Sequence, residues 1–313
     1  MHAHKLGLVA AVSLVSVLSA GCPDKAKNES IELTNQGVEK FNNQSWDKAI
    51  QLFKDATAKY PQNHQAWYSM GEVYAKQDMW KEAAEAYSEA AKNKSDDAMY
   101  NMRLGQARFE AAKKAVTDKD GNVGKYGDLS TAQTALEHAV QLNKDLFRAY
   151  YYLGRIYQES DKPKEAAEAF TRCASLNPSF GPAFIELGKL YIEWDKFDEA
   201  VRVLSQGVQH VLDPEELTDV YYNLGYAYDM KARMTEGGNS EFLDKAIEAY
   251  SKALDARADN NEAKLMRGLA YTRKGDKSKA EADLDAYVKR GAGSPFDKYE
   301  ATKALYSLGG SPM

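Results

Sequence analysis

The sequence predicts an all-α chain built as an array of paired helices, and three observations carry that prediction. Glycines recur in matching contexts at Gly37, Gly71, Gly105, Gly154, Gly188, Gly225 and Gly268, separated by 34, 34, 49, 34, 37 and 43 residues. An alanine follows twelve positions later as Ala49, Ala83, Ala166, Ala200 and Ala280, and Ala132 and Ala246 complete the set once one insertion is allowed in each of two units. Within a unit the apolar residues have helical spacing: in the stretch 83–91, good helix formers place Ala83, Tyr87, Ala90 and Ala91 on one stripe. A fixed period of this length marks a unit that cannot bury its apolar face alone and must stack on its neighbours.

Composition agrees. The chain has 313 residues, 44% of them hydrophobic, with 21 Gly and 8 Pro, which excludes collagen-like, disordered and multi-span membrane classes. Lys plus Arg number 41 against 46 Asp plus Glu, a formal charge of -5, and the signs are interspersed, so no basic footprint for nucleic acid is present. Length alone allows two domains of about 150 residues, but the period replaces them with one array. Two cysteines form no disulfide framework, and no CxxC or Cys/His cluster suggests zinc.

Taken in order, the chain opens with a short polar start and then Leu6 to Ala20, where Ser13, Ser16 and Ser19 are the most polar residues. This apolar stretch is short for a bilayer span of about 20 residues. It ends in Leu18-Ser19-Ala20-Gly21-Cys22, which resembles the lipobox of bacterial lipoproteins, with Ser19 standing where a Leu is usual. The resemblance implies that residues 1–21 are a signal peptide cleaved before Cys22 and that Cys22 is acylated on its sulfur and amine. The polar stretch that follows, within residues 22–30, is expected to be an extended tether reaching roughly 25–30 Å.

From Ile31 onward one register holds. With the glycine as position 8, position 24 is Phe53, Tyr87, Leu136, Phe170, Leu204, Tyr250 and Leu284, always large. Position 27 is small in most units, as at Ala56, Ala90, Ala139, Cys173 and Ala253; position 11 is Tyr74, Tyr157, Tyr191, Tyr228 and Tyr271; position 32 is Pro61 and Pro178. The second unit reads Trp67-Tyr68-Ser69-Met70-Gly71-Glu72-Val73-Tyr74. This resembles the tetratricopeptide repeat, whose pattern is Trp-x2-Leu-Gly-x2-Tyr, then Ala-x3-Phe, then Pro. The resemblance covers residues 31–292 and implies a right-handed superhelical solenoid of about seven helix pairs, with units near 30–63, 64–97, 98–146, 147–180, 181–214, 218–260 and 261–292. Small residues at positions 8 and 20 let the two helices of a unit approach closely, while bulky residues at 4, 11 and 24 fill the space between units. Cys173 is then expected to be buried core. Residues 293–313 are a capping helix and tail: Pro295 opens a helix to Leu308 in which Ala301, Leu305 and Leu308 cover the open end, while Asp297, Lys298, Glu300 and Lys303 face water.

The third unit carries 15 extra residues within Lys113 to Ser130 and the sixth carries nine within Lys231 to Asp244, both between a unit's two helices and both expected to project. Asp118-Lys119-Asp120-Gly121-Asn122 looks like the start of an EF-hand loop. However, Val123 and Leu129 stand where such a loop needs its Gly and its bidentate Glu, so a solvated turn is expected. Gly237-Gly238-Asn239-Ser240 is a turn by composition and lacks the Lys-Ser/Thr pair of a phosphate loop.

No catalytic set, metal site or cofactor is predicted. His64, His138 and His210 lie in different units without a second ligand at metal spacing, and the repeats leave no stretch long enough for an enzyme domain. What remains is a surface. In tetratricopeptide arrays the first helix of each unit lines a concave face, where positions 2, 5, 6 and 9 meet peptide ligands. Position 5 here is Tyr68, Met102, Tyr151, Ile185, Tyr222 and Leu265, with Arg103, Arg148, Tyr152, Arg155, Asn223 and Tyr226 beside it. Aromatic and Arg side chains suit a peptide-binding hot spot; burial of the row against neighbouring units is the other reading. The carboxylate clamp of some family members is absent. The sequence thus points to a lipid-anchored, periplasm-facing scaffold in a bacterial cell envelope, at the outer membrane in preference to the inner. Its expected partner is another envelope protein, in assembly of a pilus or secretin machine or in docking of cell-wall enzymes, with no nucleic acid and no small-molecule substrate. A regulatory subunit of an envelope enzyme and a self-associating structural solenoid are the alternatives.

Overall fold

The computed structural model of the chain describes residues 25–113, 127–235, 240–291 and 293–309. Fifteen α-helices and no strand are present among the described residues, and they fall into two compact units that divide at Asp161. The N-terminal unit holds α1 (Lys25–Asn42), α2 (Trp46–Lys59), α3 (His64–Lys76), α4 (Trp80–Asn93), α5 (Ala98–Ala112), α6 (Ser130–Leu142) and α7 (Phe147–Glu159). The C-terminal unit holds α8 (Pro163–Leu176), α9 (Gly181–Glu193), α10 (Phe197–His210), α11 (Pro214–Met234), α12 (Ser240–Ala256), α13 (Asn261–Lys274), α14 (Lys277–Arg290) and α15 (Pro295–Ser307). Within each unit a helix packs on its successor, and first helices also pack on first helices, as α1 on α3, α5 on α7, α9 on α11 and α11 on α13. This is the contact pattern of stacked helix pairs.

The recurrent glycine is explained by its partner. A Cβ at Gly71 would stand 2.6 Å from the Tyr87 ring, one at Gly37 2.5 Å from Phe53, and one at Gly188 2.7 Å from Leu204. Gly105, Gly225 and Gly268 meet Leu136, Tyr250 and Leu284 in the same way. Position 8 thus yields its side-chain space to the large residue at position 24, which is fully buried in each case. Ala49, Ala83, Ala132, Ala166, Ala200, Ala246 and Ala280 at position 20 are all completely buried. Cys173 lies buried at position 27.

A second recurrence lies in the turn between the two helices of a unit. Gln44, Asp78, Asp161 and Asp195 take φ near +56°, and Gly275 takes φ +80°. All five occupy position 15 of their units. At Asp78 the backbone N–H donates to Ala75 O, and the next N–H, of Met79, donates to Tyr74 O. Gln44, Asp195 and Gly275 show the same pair of bonds, which is the Schellman arrangement that ends a helix on a left-handed residue.

Three expectations change. The tether reading of residues 22–30 fails from Lys25 onward, because residues 25–30 form the start of α1. Glu29 pairs with Lys59 at 3.0 Å, and the buried Ser30 hydroxyl donates to Ala56 O at 2.7 Å. Asn63 Nδ2 donates to both Ser30 Oγ and Thr34 Oγ1, so this polar stretch is held on one face by α2 and the turn that follows it. In the sixth unit most of the insertion continues the helices instead of projecting: α11 runs on to Met234 and α12 starts at Ser240. The capping helix does seat Ala301 and Leu305 on α13 and α14, but its outer side is not simply polar, since Phe296, Tyr299 and Tyr306 are exposed there. Cys22 with the signal segment, the Asp118 motif and residues 237–239 lie outside the described residues. Among those described, no helix is long and apolar enough to cross a membrane.

Candidate interaction surface

In the N-terminal unit the row begins with Tyr68 on α3. Its ring stacks on Tyr100 of α5, with centroids 4.8 Å apart, and tilts against Tyr87 of α4 at 5.6 Å. Beneath it Tyr87 donates its hydroxyl to the buried Glu72 at 2.5 Å, and Glu72 forms an ion pair with Arg103 Nε at 3.0 Å. Arg103 Nη1 donates to Gln106. Burial, then the nearby Glu72 carboxylate, pushes the Tyr68 phenol up to about 12. Met102 is buried. Tyr68, Met102 and Arg103 therefore tie α3, α4 and α5 into one layer, with the guanidinium already engaged.

On α7 the set is looser. Tyr152 meets Phe109 edge to face at 5.5 Å and Tyr151 at 5.4 Å. Arg155 lies over the Phe109 ring at 5.8 Å and donates Nη1 to the Tyr151 hydroxyl at 3.3 Å. Arg148 lies over the ring of Phe147 at 5.2 Å. Tyr151, Tyr152, Arg148 and Arg155 are each half-buried, so their rings and planes are fixed on one side and open on the other. Burial, then Glu110, raises the Tyr152 phenol. Rigid aromatic area beside Arg donors is what a peptide hot spot requires.

In the C-terminal unit Ile185 on α9 and Leu265 on α13 are buried. Tyr222 on α11 is half-buried, packs on Tyr250 at 6.0 Å and covers Ala253, Leu254 and Ala263; burial, then Glu262, pushes its phenol up to about 12. Asn223 is buried, and its amide donates to Asp219 O at 2.8 Å. Tyr226 is half-buried. Position 5 thus divides by residue type: Met102, Ile185 and Leu265 are packing residues, while the tyrosines pack with one face and keep an open edge.

The sequence reading missed the opposite side. A cleft of about 540 Å³ between α2, α3 and α4 is lined by Pro61, Trp67, Met70, Tyr74 and Glu85 among others. One of about 450 Å³ between α8, α9 and α10 is lined by Pro178, Phe184, Leu187, Tyr191 and Arg202. These residues occupy positions 32, 4, 7, 11 and 22 in both, so the two clefts are equivalent in register; Pro61 and Pro178 at position 32 and Tyr74 and Tyr191 at position 11 were their visible signal. Glu85 in one and Arg202 in the other give the two opposite charge.

His64 Nδ1 pairs with the Tyr100 hydroxyl at 2.8 Å and His138 Nδ1 with Asn101 Oδ1 at 3.3 Å, so both serve packing. Among the described residues no group of three His, Cys, Asp or Glu side chains could hold a metal ion.

Comparison with known families agrees with the register. Tetratricopeptide repeat models match residues 34–98 and 238–295, and a second such model matches residues 147–180. The chain belongs to the tetratricopeptide repeat family. A search of curated proteins returns no match. Among solved structures, the APC/C hetero-tetramer Cut9-Hcn1 aligns with a TM-score of 0.58 and 16% identity over 88% of this chain and 48% of that one. A tetratricopeptide repeat protein from Parabacteroides merdae aligns with a TM-score of 0.56 and 15% identity over 89% and 99%. Pseudomonas aeruginosa pilF aligns with a TM-score of 0.54 and 16% identity over 76% and 96%. At these identities the likeness concerns the fold. A tetratricopeptide repeat array is an interaction module, and its first-helix side chains are where this chain presents open aromatic edges.

Proposed function

We propose that this protein is a membrane-anchored scaffold of a bacterial envelope that holds another protein through the first-helix residues of its repeats. The observation that carries the reading is the α7 set, where Tyr151, Tyr152, Arg148 and Arg155 sit half-buried with aromatic and guanidinium groups fixed by one another. Rings held in place lose little entropy on binding, and Arg supplies directional donors at their edge. Tyr222 and Tyr226 on α11 offer a second such patch in the C-terminal unit. The anchor is Cys22, whose context Leu18-Ser19-Ala20-Gly21-Cys22 supports lipidation; with it we propose a periplasm-facing location, at the outer membrane in preference to the inner. In that setting the partner is a subunit of an envelope assembly, such as a pilus or secretin machine, or a cell-wall enzyme.

Two measurements test the reading separately. Alkyne-palmitate labelling in cells should mark the wild-type chain and be lost in Cys22→Ser, with the protein leaving the membrane fraction; equal labelling of both removes the anchor. For the surface, a photo-crosslinking residue at Tyr151 should trap one envelope protein whose retention on the purified chain falls at least tenfold in Tyr151→Ala/Arg155→Ala, a loss of about 1.4 kcal/mol or more. Unchanged retention, with the helical signal also unchanged, overturns the first-helix reading.

A further inference from the structure

The last helix has two apolar faces. One seats Ala301 and Leu305 on Leu265, Leu284 and Tyr287, with Ala304 and Leu308 beside them. On the other side Phe296, Tyr299 and Tyr306 remain 69%, 61% and 60% exposed. Three large aromatics on one face of a thirteen-residue helix form an exposed apolar patch of the kind that marks an interaction site.

Their spacing identifies what fits. Phe296, Tyr299, Lys303 and Tyr306 are separated by three, four and three residues, which is the alternation of an a/d seam. Because those steps read the same from either end, the stripe is complementary to itself. When two copies of α15 lie antiparallel about a two-fold axis at the level of Ala301, Phe296 of one copy meets Tyr306 of the other, and Tyr299 meets Lys303. A closed homodimer demands this reciprocal matching. Charge agrees with the pairing: the Lys303 ammonium already lies 5.9 Å from the centroid of its own Tyr299 ring, so the seam presents a cation directly opposite the partner copy's aromatic face. A parallel arrangement would instead set Lys303 against Lys303.

We propose that a second copy of this chain covers the α15 stripe as an antiparallel, two-fold pair. The exposed parts of the three rings amount to roughly 400 Å² per chain, about 800 Å² for the pair, below the standard range of stable complexes. The dimer is therefore concentration-dependent, with a dissociation constant on the order of 10–100 µM. The first-helix surface contributes nothing to it, since no residue of that surface lies on α15.

Single-cysteine crosslinking of the full chain in mild detergent, in a Cys22→Ser/Cys173→Ala background, tests both the occupant and the direction. Near the axis the two copies of residue 302 flank the seam roughly 10 Å apart, within reach of a short bismaleimide, whereas residue 307 stands roughly 18 Å along the helix from its symmetry mate. At about 50 µM, near the expected dissociation constant, Thr302→Cys should form at least ten times as much bismaleimide-linked dimer as Ser307→Cys. Adding Tyr299→Glu to Thr302→Cys should reduce it at least tenfold while the melting temperature stays unchanged, and Tyr306→Glu should repeat the effect. Equal crosslinking at both sites overturns the antiparallel pair. So does crosslinking insensitive to Tyr299→Glu and Tyr306→Glu, or a chain that stays monomeric at several times that concentration, in which case another protein's helix or a lipid surface owns the stripe.

Discussion

Replacing Glu72 is the sharpest probe of how the repeats are joined. Glu72 on α3 is buried and engages Tyr87 of α4 and Arg103 of α5 at once. Glu72→Ala leaves the Tyr87 hydroxyl without its acceptor and the Arg103 guanidinium, whose side chain is only 22% exposed, without its counter-charge. Removing one member of a buried ion pair costs about 3–5 kcal/mol. Arg103 has a partial route to water, which sets the expectation near the lower end, about 3 kcal/mol. Tyr87→Phe, which removes one hydrogen bond to a carboxylate, should cost about 1.5 kcal/mol. Glu72→Met combined with Arg103→Met removes both charges and should cost less than either single change, because no charge is left buried alone. Urea unfolding followed by far-UV circular dichroism gives the free energies of the wild type, Glu72→Ala, Tyr87→Phe, Glu72→Met, Arg103→Met and the double variant, and hydrogen exchange in α3 to α5 shows whether the loss is local, as expected of an array that unfolds in sections. A Glu72→Ala cost below about 1 kcal/mol, or simple additivity in the double variant, would refute the claim that this carboxylate ties the second repeat to the third.

Three further outcomes follow from other parts of the molecule. Asp195→Gly should stabilise by about 0.5–1 kcal/mol, since Asp195 takes φ +56° where glycine carries no Cβ penalty, whereas Gly275→Val at the same position of its unit should destabilise by 1 kcal/mol or more; chemical denaturation of both variants checks the opposite signs. Gly188→Ala should cost about 1–3 kcal/mol, because the new Cβ would stand 2.7 Å from the buried Leu204, and Leu204→Ala in the same chain should recover part of that loss relative to Leu204→Ala alone. The Tyr68 and Tyr222 phenols are raised from 10 to about 12 by burial, so the folded chain disfavours their ionised form. Their stabilising contribution is complete below pH 10 and is lost as pH rises through 12; absorbance at 295 nm should show these tyrosines protonated in the folded chain at pH 11 and ionised once urea unfolds it.

What the sequence displayed and what it hid divide along a physical line. The 34-residue period was visible because one steric relation, a missing side chain at position 8 facing a large one at position 24, must be satisfied again in every unit: Gly37 with Phe53, Gly71 with Tyr87, Gly268 with Leu284. Register and core followed from that single relation. Polar contacts are different, because each is made once. Asp229, fully buried on α11 and paired with Arg233 and Arg273, and Arg267, which grips Asp283 with two nitrogens and Ser251 with a third, have no equivalent in other units, so no period could announce them. The start of α1 escaped for the same reason: Lys25 to Ser30 is polar enough to read as a tether, and only Ala56, Lys59 and Asn63 of the adjoining helices convert it into packed helix. At the candidate surface, spacing placed Tyr68, Met102, Tyr151, Ile185, Tyr222 and Leu265 in one row, but spacing carries no depth. The aliphatic and thioether side chains could be wholly enclosed, whereas each tyrosine is longer than the layer that holds it and keeps an open edge. A row chosen by position therefore becomes a binding surface only where the residue is too large to be swallowed by its neighbours. In the N-terminal unit α7 meets that criterion with two adjacent tyrosines, Tyr151 and Tyr152, and Tyr151 and Arg155 brace each other.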